Sequence, residues 1–338
     1  MNPVCQVLDI TYPIIQGGMG NISNAQLAVA VSEAGGLGTI GCGTMPPDEV
    51  EQMIIAIKNQ TKQPFAVNIP IQVTDYLEEM LTLVKKHAVP IVSLSAGNPA
   101  PYVPLLQEYG IKVLAVVSTV YHAKKAEYAG VDLIVAEGFE AAGINAPQEM
   151  TTFTLVPQIA AQVSTPLIAA GGVGDGKGFA AAMMLGASGV QLGTRLIATK
   201  EAPVHREYKQ LLCQADGTDA ITVGRSFGNM RRVLKTDYTQ TLQLHERDGI
   251  SRHAYQQLTT EDRHIQGAIH GDFANGFLNG GQVAGLITTI PTVKDLLDNM
   301  MNEARQQMDL VMHNFSIISS GGGGSNHGRT ISDQTDNG

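Results

Sequence analysis

Short, largely apolar runs alternate with longer amphipathic stretches along the first two thirds of the chain, and the alternation repeats eight times. The runs fall at 13–16, 37–40, 65–69, 91–94, 112–116, 133–136, 166–169 and 189–192. Each reads as a strand covered on both faces, because nearly every position is apolar instead of every second one. Between them, 25–33, 47–59, 75–86, 100–108, 120–128, 152–162 and 178–185 carry helical spacing. Eight strand–helix units in series predict a closed parallel barrel, a (β/α)8 TIM barrel, over residues 1–215.

The pattern then changes. Residues 216–282 are more polar and irregular and hold His245, His253, His264, His270 and the turn Gly224-Arg225-Ser226-Phe227-Gly228. A lid or small helical subdomain is expected there. Apolar spacing returns over 283–315, which predicts one or two closing helices. The segment 316–338, with Gly321 to Gly324 followed by polar residues, has too little apolar surface to order itself and is expected to be a disordered tail.

Charge narrows the class of partner. The 338 residues carry 22 Lys and Arg against 31 Asp and Glu, a net charge of −9, and the only adjacent basic pairs are Lys85-Lys86, Lys124-Lys125 and Arg231-Arg232. A nucleic-acid partner is not expected without a basic cluster to neutralise phosphates. Cys5, Cys42 and Cys213 lack metal spacing and read as thiols in a reducing compartment. Asp262 and Asp272 beside the lid histidines show no ligand geometry, so no metal is expected. There is no unbroken apolar run of membrane length and no charged segment leading into an apolar one near Met1, so a cytoplasmic protein without a membrane partner is expected. Oligomeric state is not legible, and a homodimer stays open.

Candidate chemistry gathers where the strands end. Ala169-Ala170-Gly171-Gly172 closes the seventh run and Gly193-Thr194 the eighth. Loops after strands seven and eight of such a barrel are the usual phosphate seat, since glycine lets the backbone approach and its N–H groups bind anions. Gln16-Gly17-Gly18-Met19-Gly20 after the first run suits a flat ligand with a soft contact from Met19. Asn68 after the third can meet a pyrimidine edge, and Glu137 to Gly143 after the sixth leaves room above a ring. The Gly174-Asp175-Gly176-Lys177-Gly178 string lacks the Ser or Thr of a nucleotide loop and is expected to open the seventh helix.

Taken together, these stretches, with Ser32-Glu33-Ala34-Gly35-Gly36-Leu37-Gly38, Lys200-Glu201-Ala202-Pro203-Val204-His205, 227–232 and Gly280-Gly281-Gln282-Val283-Ala284-Gly285, resemble the FMN-dependent nitronate monooxygenases and the flavin-type enoyl-acyl carrier protein reductases. The resemblance implies a barrel with a C-terminal lid, FMN, and NAD(P)H or a nitronate as electron donor. It places FMN contacts on Gly17, Gly18, Met19, Asn68, Glu137, Ala142, Gly171, Gly172, Gly193 and Thr194. It also exposes a departure: where such enzymes carry a histidine after the sixth strand, this chain has Ile144 and Asn145. Neither moves a proton. Asn145 is the candidate to polarise a carbonyl and His205 the nearest candidate proton source, with His264 and His270 as lid alternatives. The expected activity is NAD(P)H-dependent reduction of a small molecule or acyl thioester of enoyl type. Nitronate oxidation, which needs no base, is the alternative, and a catalytically weak flavin-binding barrel the next.

Overall fold

The computed structural model describes residues 1–320, with side chains to residue 315. Eleven strands occur among these residues: β1 (Ile14–Gln16), β2 (Gly38–Gly41), β3 (Phe65–Pro70), β4 (Ile91–Ser95), β5 (Lys112–Val117), β6 (Leu133–Glu137), β7 (Gly143–Ile144), β8 (Leu167–Ala170), β9 (Gly189–Leu192), β10 (Ala220–Val223) and β11 (Arg231–Leu234). Eight of them form one parallel sheet in the order β1-β9-β8-β6-β5-β4-β3-β2. A bridge between Ile15 and Leu37 joins its two ends, with Gln16 N donating to Leu37 O at 2.9 Å and Leu37 N to Ile14 O at 3.0 Å. The barrel is therefore closed, as the eight repeats predict.

Alternate residues of each strand serve two cores. Ile15, Leu37, Ala66, Ile91, Leu114, Leu133, Val135, Ile168 and Ala170 fill the barrel interior, whereas their neighbours, such as Ile14, Val67, Ile134 and Ala169, pack outward under the helices. Both faces being dry explains why the strand pattern reads as continuous apolar runs. A short helix, Pro3–Leu8, capped by the Asn2 side chain, adds Val4 and Leu8 to the interior cluster. Asn2 Nδ2 also donates to Ser188 O at 2.7 Å, ahead of β9. That element escaped the sequence reading because six residues give too short a period to detect.

The lid differs from the expected irregular or helical piece. β10 and β11 form an antiparallel hairpin, and β11 pairs in turn with β7, setting Arg231 opposite Ile144 and Arg232 opposite Gly143. Arg232, buried, donates to Phe139 O and Ala220 O at 3.0 Å each and lies over the Phe139 ring. The lid is thus stitched to the loop that follows β6. Helices Asp237–Arg247, Arg252–Leu258 and Glu261–Ala268 complete it.

A single long helix, Val293–Ser320, then packs on helices Gly176–Met184 and Ala25–Glu33. It continues past residue 316, where the tail was expected to begin, and residues 321–338 lie outside the described residues. No helix among the described residues is long and apolar enough to cross a membrane.

Candidate active site

A cavity of about 840 Å³ opens at the C-terminal ends of the barrel strands, with the lid forming its far wall. Gly17, Gly18, Met19, Asn68, Glu137, Ala142, Gly171, Gly172, Gly193 and Thr194, together with Asn145, all line it. Residues spread over 178 positions of sequence converge because every parallel strand delivers its C-terminal end to the same rim.

The barrel wall is built mostly of backbone. Gly171 and Gly172 hold φ of 90° and 76°, in the left-handed region that a side chain disfavours. A Cβ on Gly171 would also sit 2.9 Å from Gly138 O. Among the described residues the amides of Gly171, Gly172, Gly193 and Thr194 donate to no protein acceptor, and the space beside Gly193 is open. Unsatisfied amides at a rim are what an anion needs. Helix Gly176–Met184 starts beside this rim, capped by the Asp175 carboxylate at 2.8 Å from Gly178 N, as the glycine string predicts.

Opposite the anion seat, Asn68 is held by serines the sequence reading missed: its Nδ2 donates to Ser93 O at 3.2 Å and to Ser95 Oγ at 3.1 Å. The donor half of the amide is committed, so Oδ1 is left to accept a ring N–H. Gly18 is glycine for the same reason, since a Cβ there would stand 2.4 Å from Asn68 Oδ1. Glu137 ends β6 partly buried, and desolvation pushes its pKa up to about 7. It can present a proton to a carbonyl at neutral pH. Glu140, also missed, turns its carboxylate back onto Thr152 N at 2.9 Å and Thr152 Oγ1 at 3.1 Å, and Thr152 Oγ1 reaches Gly171 O at 2.9 Å. These bonds fix the loop after β6 against the anion seat.

The lid wall is built of charged side chains. Arg231 Nη2 stands 3.0 Å from Glu261 Oε1, and the guanidinium lies 4.9 Å from the Phe277 ring centroid. His264 stacks against the same ring at 5.3 Å and 12°. Its Nδ1 faces Asn279 Nδ2 at 3.4 Å and Glu261 Oε2 at 3.6 Å. Burial alone would raise the Glu261 pKa, but His264 and Arg231 beside it hold the carboxyl down to about 2. Arg231, Glu261, His264 and Asn279 all line the cavity. No short spacing announces this group, which is assembled from β11, the 261–268 helix and the strand-like segment at 277–279.

Three expectations need correction. His205 does not join the cavity: it caps helix Arg206–Gln214, accepting from Glu207 N on Nδ1 at 3.4 Å, with its ring edge against Phe273. His270 is exposed and likewise outside the lining. Asn145 does face the cavity, yet its Nδ2 turns to Ala141 O at 3.1 Å and its unpartnered buried atom is Oδ1. It offers an acceptor, not the oxyanion donor expected of it. Ile144, 56% exposed, presents an apolar side chain instead.

A rim of free amides, a polar station at Asn68 and Glu137 and a glycine floor between them match the phosphate, the pyrimidine edge and the flat ring of a flavin. Barrel and site together define a flavin-dependent oxidoreductase. Comparison with known proteins gives the family: the nitronate monooxygenase model matches residues 2–85 and 71–303, and the chain belongs to that family. A 5-hydroxy-7a-methyl-1-oxo-octahydro-1H-indene-4-carboxyl-CoA dehydrogenase of Rhodococcus jostii is 30% identical, over 90% of this chain and 96% of the relative. A probable nitronate monooxygenase of Staphylococcus saprophyticus is 29% identical over 90% and 98%. Among solved structures, FabK from Thermotoga maritima superposes with a TM-score of 0.89 at 36% identity, covering 93% of this chain and 99% of that one. Nitroalkane oxidase from Streptomyces ansochromogenes gives 0.80 at 25%, over 91% and 99%.

Proposed function

We propose that this protein is a cytoplasmic FMN oxidoreductase that uses NAD(P)H to reduce an electron-poor acceptor, with an enoyl thioester as the representative substrate. The observation that carries this reading is the greater likeness to FabK, a flavin enoyl-acyl carrier protein reductase, than to the nitroalkane oxidase, in both identity and superposition. The Rhodococcus jostii relative also carries a coenzyme A thioester in its name.

Bound FMN would supply hydride to an electron-poor carbon. The protein's part is to bind and orient. Amides of Gly171, Gly172, Gly193 and Thr194 would hold the phosphate, Asn68 Oδ1 would accept from the ring edge, and the Glu137 carboxyl, when protonated, would donate to a ring carbonyl. Gly17 and Gly18 let the ring lie against backbone. Ile144 and Val117 keep the acceptor's side of the cavity apolar, which strengthens every charge interaction within it.

Anaerobic stopped-flow tests the reading: NADH or NADPH should bleach the flavin of the purified yellow protein within seconds, and crotonyl-coenzyme A should restore its colour. Bleaching by a nitronate but by neither nicotinamide would instead support nitronate oxidation. That second reading is favoured by one observation, the apolar Ile144 where relatives of the resembled type place a histidine, because an anionic nitronate needs no proton removed. Tight FMN binding with no turnover on any donor would mark a catalytically weak flavin barrel.

A further inference from the structure

Reduction of an enoyl thioester needs one proton as well as one hydride, and in the loop after β6 the Glu140 carboxylate is bonded to Thr152 and Glu149 is paired with Arg225, while the two residues that follow Gly143 have none to deliver. Ile144 is apolar, and Asn145 has no proton to give up near neutral pH. The lid wall does offer one. His264 lines the same cavity and is only 1% exposed. One ring nitrogen, Nδ1, is turned toward Asn279 and Glu261, while the other, Nε2, is buried with no partner among the described residues. A buried imidazole nitrogen without a partner is costly unless something occupies the space beside it. The ring is fixed on three sides: Phe277 stacks on its face, Asn279 meets Nδ1, and Glu261, itself locked by Arg231, sets a carboxylate beside Nδ1.

We infer that His264 is the catalytic acid of this chain, delivering a proton from Nε2 to the substrate carbon next to the carbonyl, a role that rests on the enoyl-reductase reading given above. With hydride supplied at the β-carbon by bound reduced flavin, the π electrons of the C=C bond would pass to the α-carbon and thioester as an enolate. That electron pair then forms a C–H bond with the Nε2 proton, while the electrons of the N–H bond stay on nitrogen. The imidazolium becomes imidazole and is recharged from solvent or buffer. The lid histidine thus takes over from a group missing on the barrel, reaching the cavity from the opposite wall.

His264→Gln and His264→Asn test this in flavin-loaded protein. Bleaching by NADPH and recolouring by the quinone menadione, which needs no proton at carbon, are expected to stay within about twofold of the unsubstituted protein. Recolouring by crotonyl-coenzyme A should slow by about 10² to 10⁴, the usual loss when a positioned acid is removed. Unchanged recolouring by crotonyl-coenzyme A would overturn the inference. A readout without turnover stands beside it: in oxidised, flavin-loaded protein with ¹⁵N-labelled histidine, crotonyl-coenzyme A should shift the Nε2 resonance that His264→Gln abolishes. If both variants fail to hold flavin, assignment passes to selective labelling of the unsubstituted protein, and an unmoved Nε2 resonance refutes the role.

Failure of the enoyl reading itself is separable. If the unsubstituted protein reduces no crotonyl-coenzyme A, neutral 2-nitropropane and its preformed nitronate become the probes. His264→Gln should then lose only oxidation of the neutral compound, whose α-proton must go to Nε2. Equal loss or equal retention of the two would refute a proton-transfer role.

Discussion

The two walls of the cavity each carry a partly buried carboxyl, and they treat it in opposite ways. On the barrel wall Glu137 has no cation beside it among the described residues, and burial lifts its pKa to about 7. On the lid wall Glu261 has Arg231 and His264 beside it, and they overcome burial to hold it near 2. The barrel wall uses backbone amides and neutral groups to bind a ligand; the lid wall uses a stacked, ion-paired set of side chains to hold charge. A binding surface has to fit a shape, which rigid strand ends provide. A proton-handling surface has to stabilise two charge states of one ring, which needs a fixed counter-charge.

Breaking the lid wall should have the largest effect on stability. Arg231→Met removes the cation and leaves Glu261 buried without it, at a cost of about 3–5 kcal/mol, the range for one partner lost from a buried pair. Chemical denaturation reads this as a lower midpoint. The double variant Arg231→Met with Glu261→Gln should regain much of the loss, and a double variant no better than the single would mean that the pair does not act as a unit.

Breaking the barrel wall should instead affect binding and spare the fold. Gly193 has open space at its Cβ, so Gly193→Asp introduces a carboxylate into the anion seat without a clash. FMN affinity, followed by fluorescence quenching, should fall on the order of 100-fold, the scale of like-charge repulsion in a partly screened site. The melting temperature of the flavin-free protein should barely move. A large drop in melting temperature with unchanged affinity would reverse the roles assigned to the two walls.

How far each wall was legible in the sequence follows from the same difference. The barrel wall is local: each contribution is a four- to six-residue motif at the end of an apolar run, so Gly171, Gly193, Asn68 and Glu137 can be placed on one rim once eight runs are counted. The lid wall is not local. Arg231, Glu261, His264 and Asn279 meet only because β11 pairs with β7 and the 261–268 helix packs beneath them, and no periodicity links those positions. Arg231-Arg232 was visible as a basic pair, but its burial was not. Ile144 was visible as a missing histidine, yet its pairing opposite Arg231, which ties the loop to the lid, is a long-range fact. His205 misled because a place at the start of a helix near the rim does not by itself give access to the cavity, and its ring closes that helix N-terminus.

The opposed carboxyls also give opposed pH responses. Flavin-free protein keeps Glu137 protonated up to about pH 7, while the unfolded chain releases that proton near 4.5, so this group's contribution to stability is full below 4.5 and lost as pH rises through about 7. Glu261 behaves in the reverse sense: its contribution is full above about 4.5 and lost as pH falls toward 2. Glu137→Gln should therefore flatten the neutral side of the stability profile by about 1–2 kcal/mol, while Glu261→Gln flattens the acid side. Denaturation midpoints between pH 3 and 8 distinguish them, and a Glu137→Gln profile parallel to that of the unsubstituted protein would mean that this carboxyl is ionised in the folded state.

The smallest effect is expected from restoring an imidazole to the barrel wall. Ile144 is the position to change, because it is half-exposed in the cavity while Asn145 is buried and bonded to Ala141. If His264 already supplies the proton, Ile144→His adds a second donor to a step that does not lack one, and crotonyl-coenzyme A turnover should change by less than about tenfold. In a His264→Gln background the same substitution should recover a substantial part of the lost rate, since an acid then approaches the substrate from the other wall. Rescue only in that background would show that either wall can serve the proton. A gain in the unsubstituted protein as large as in the His264→Gln variant would mean that the lid histidine had not been supplying it.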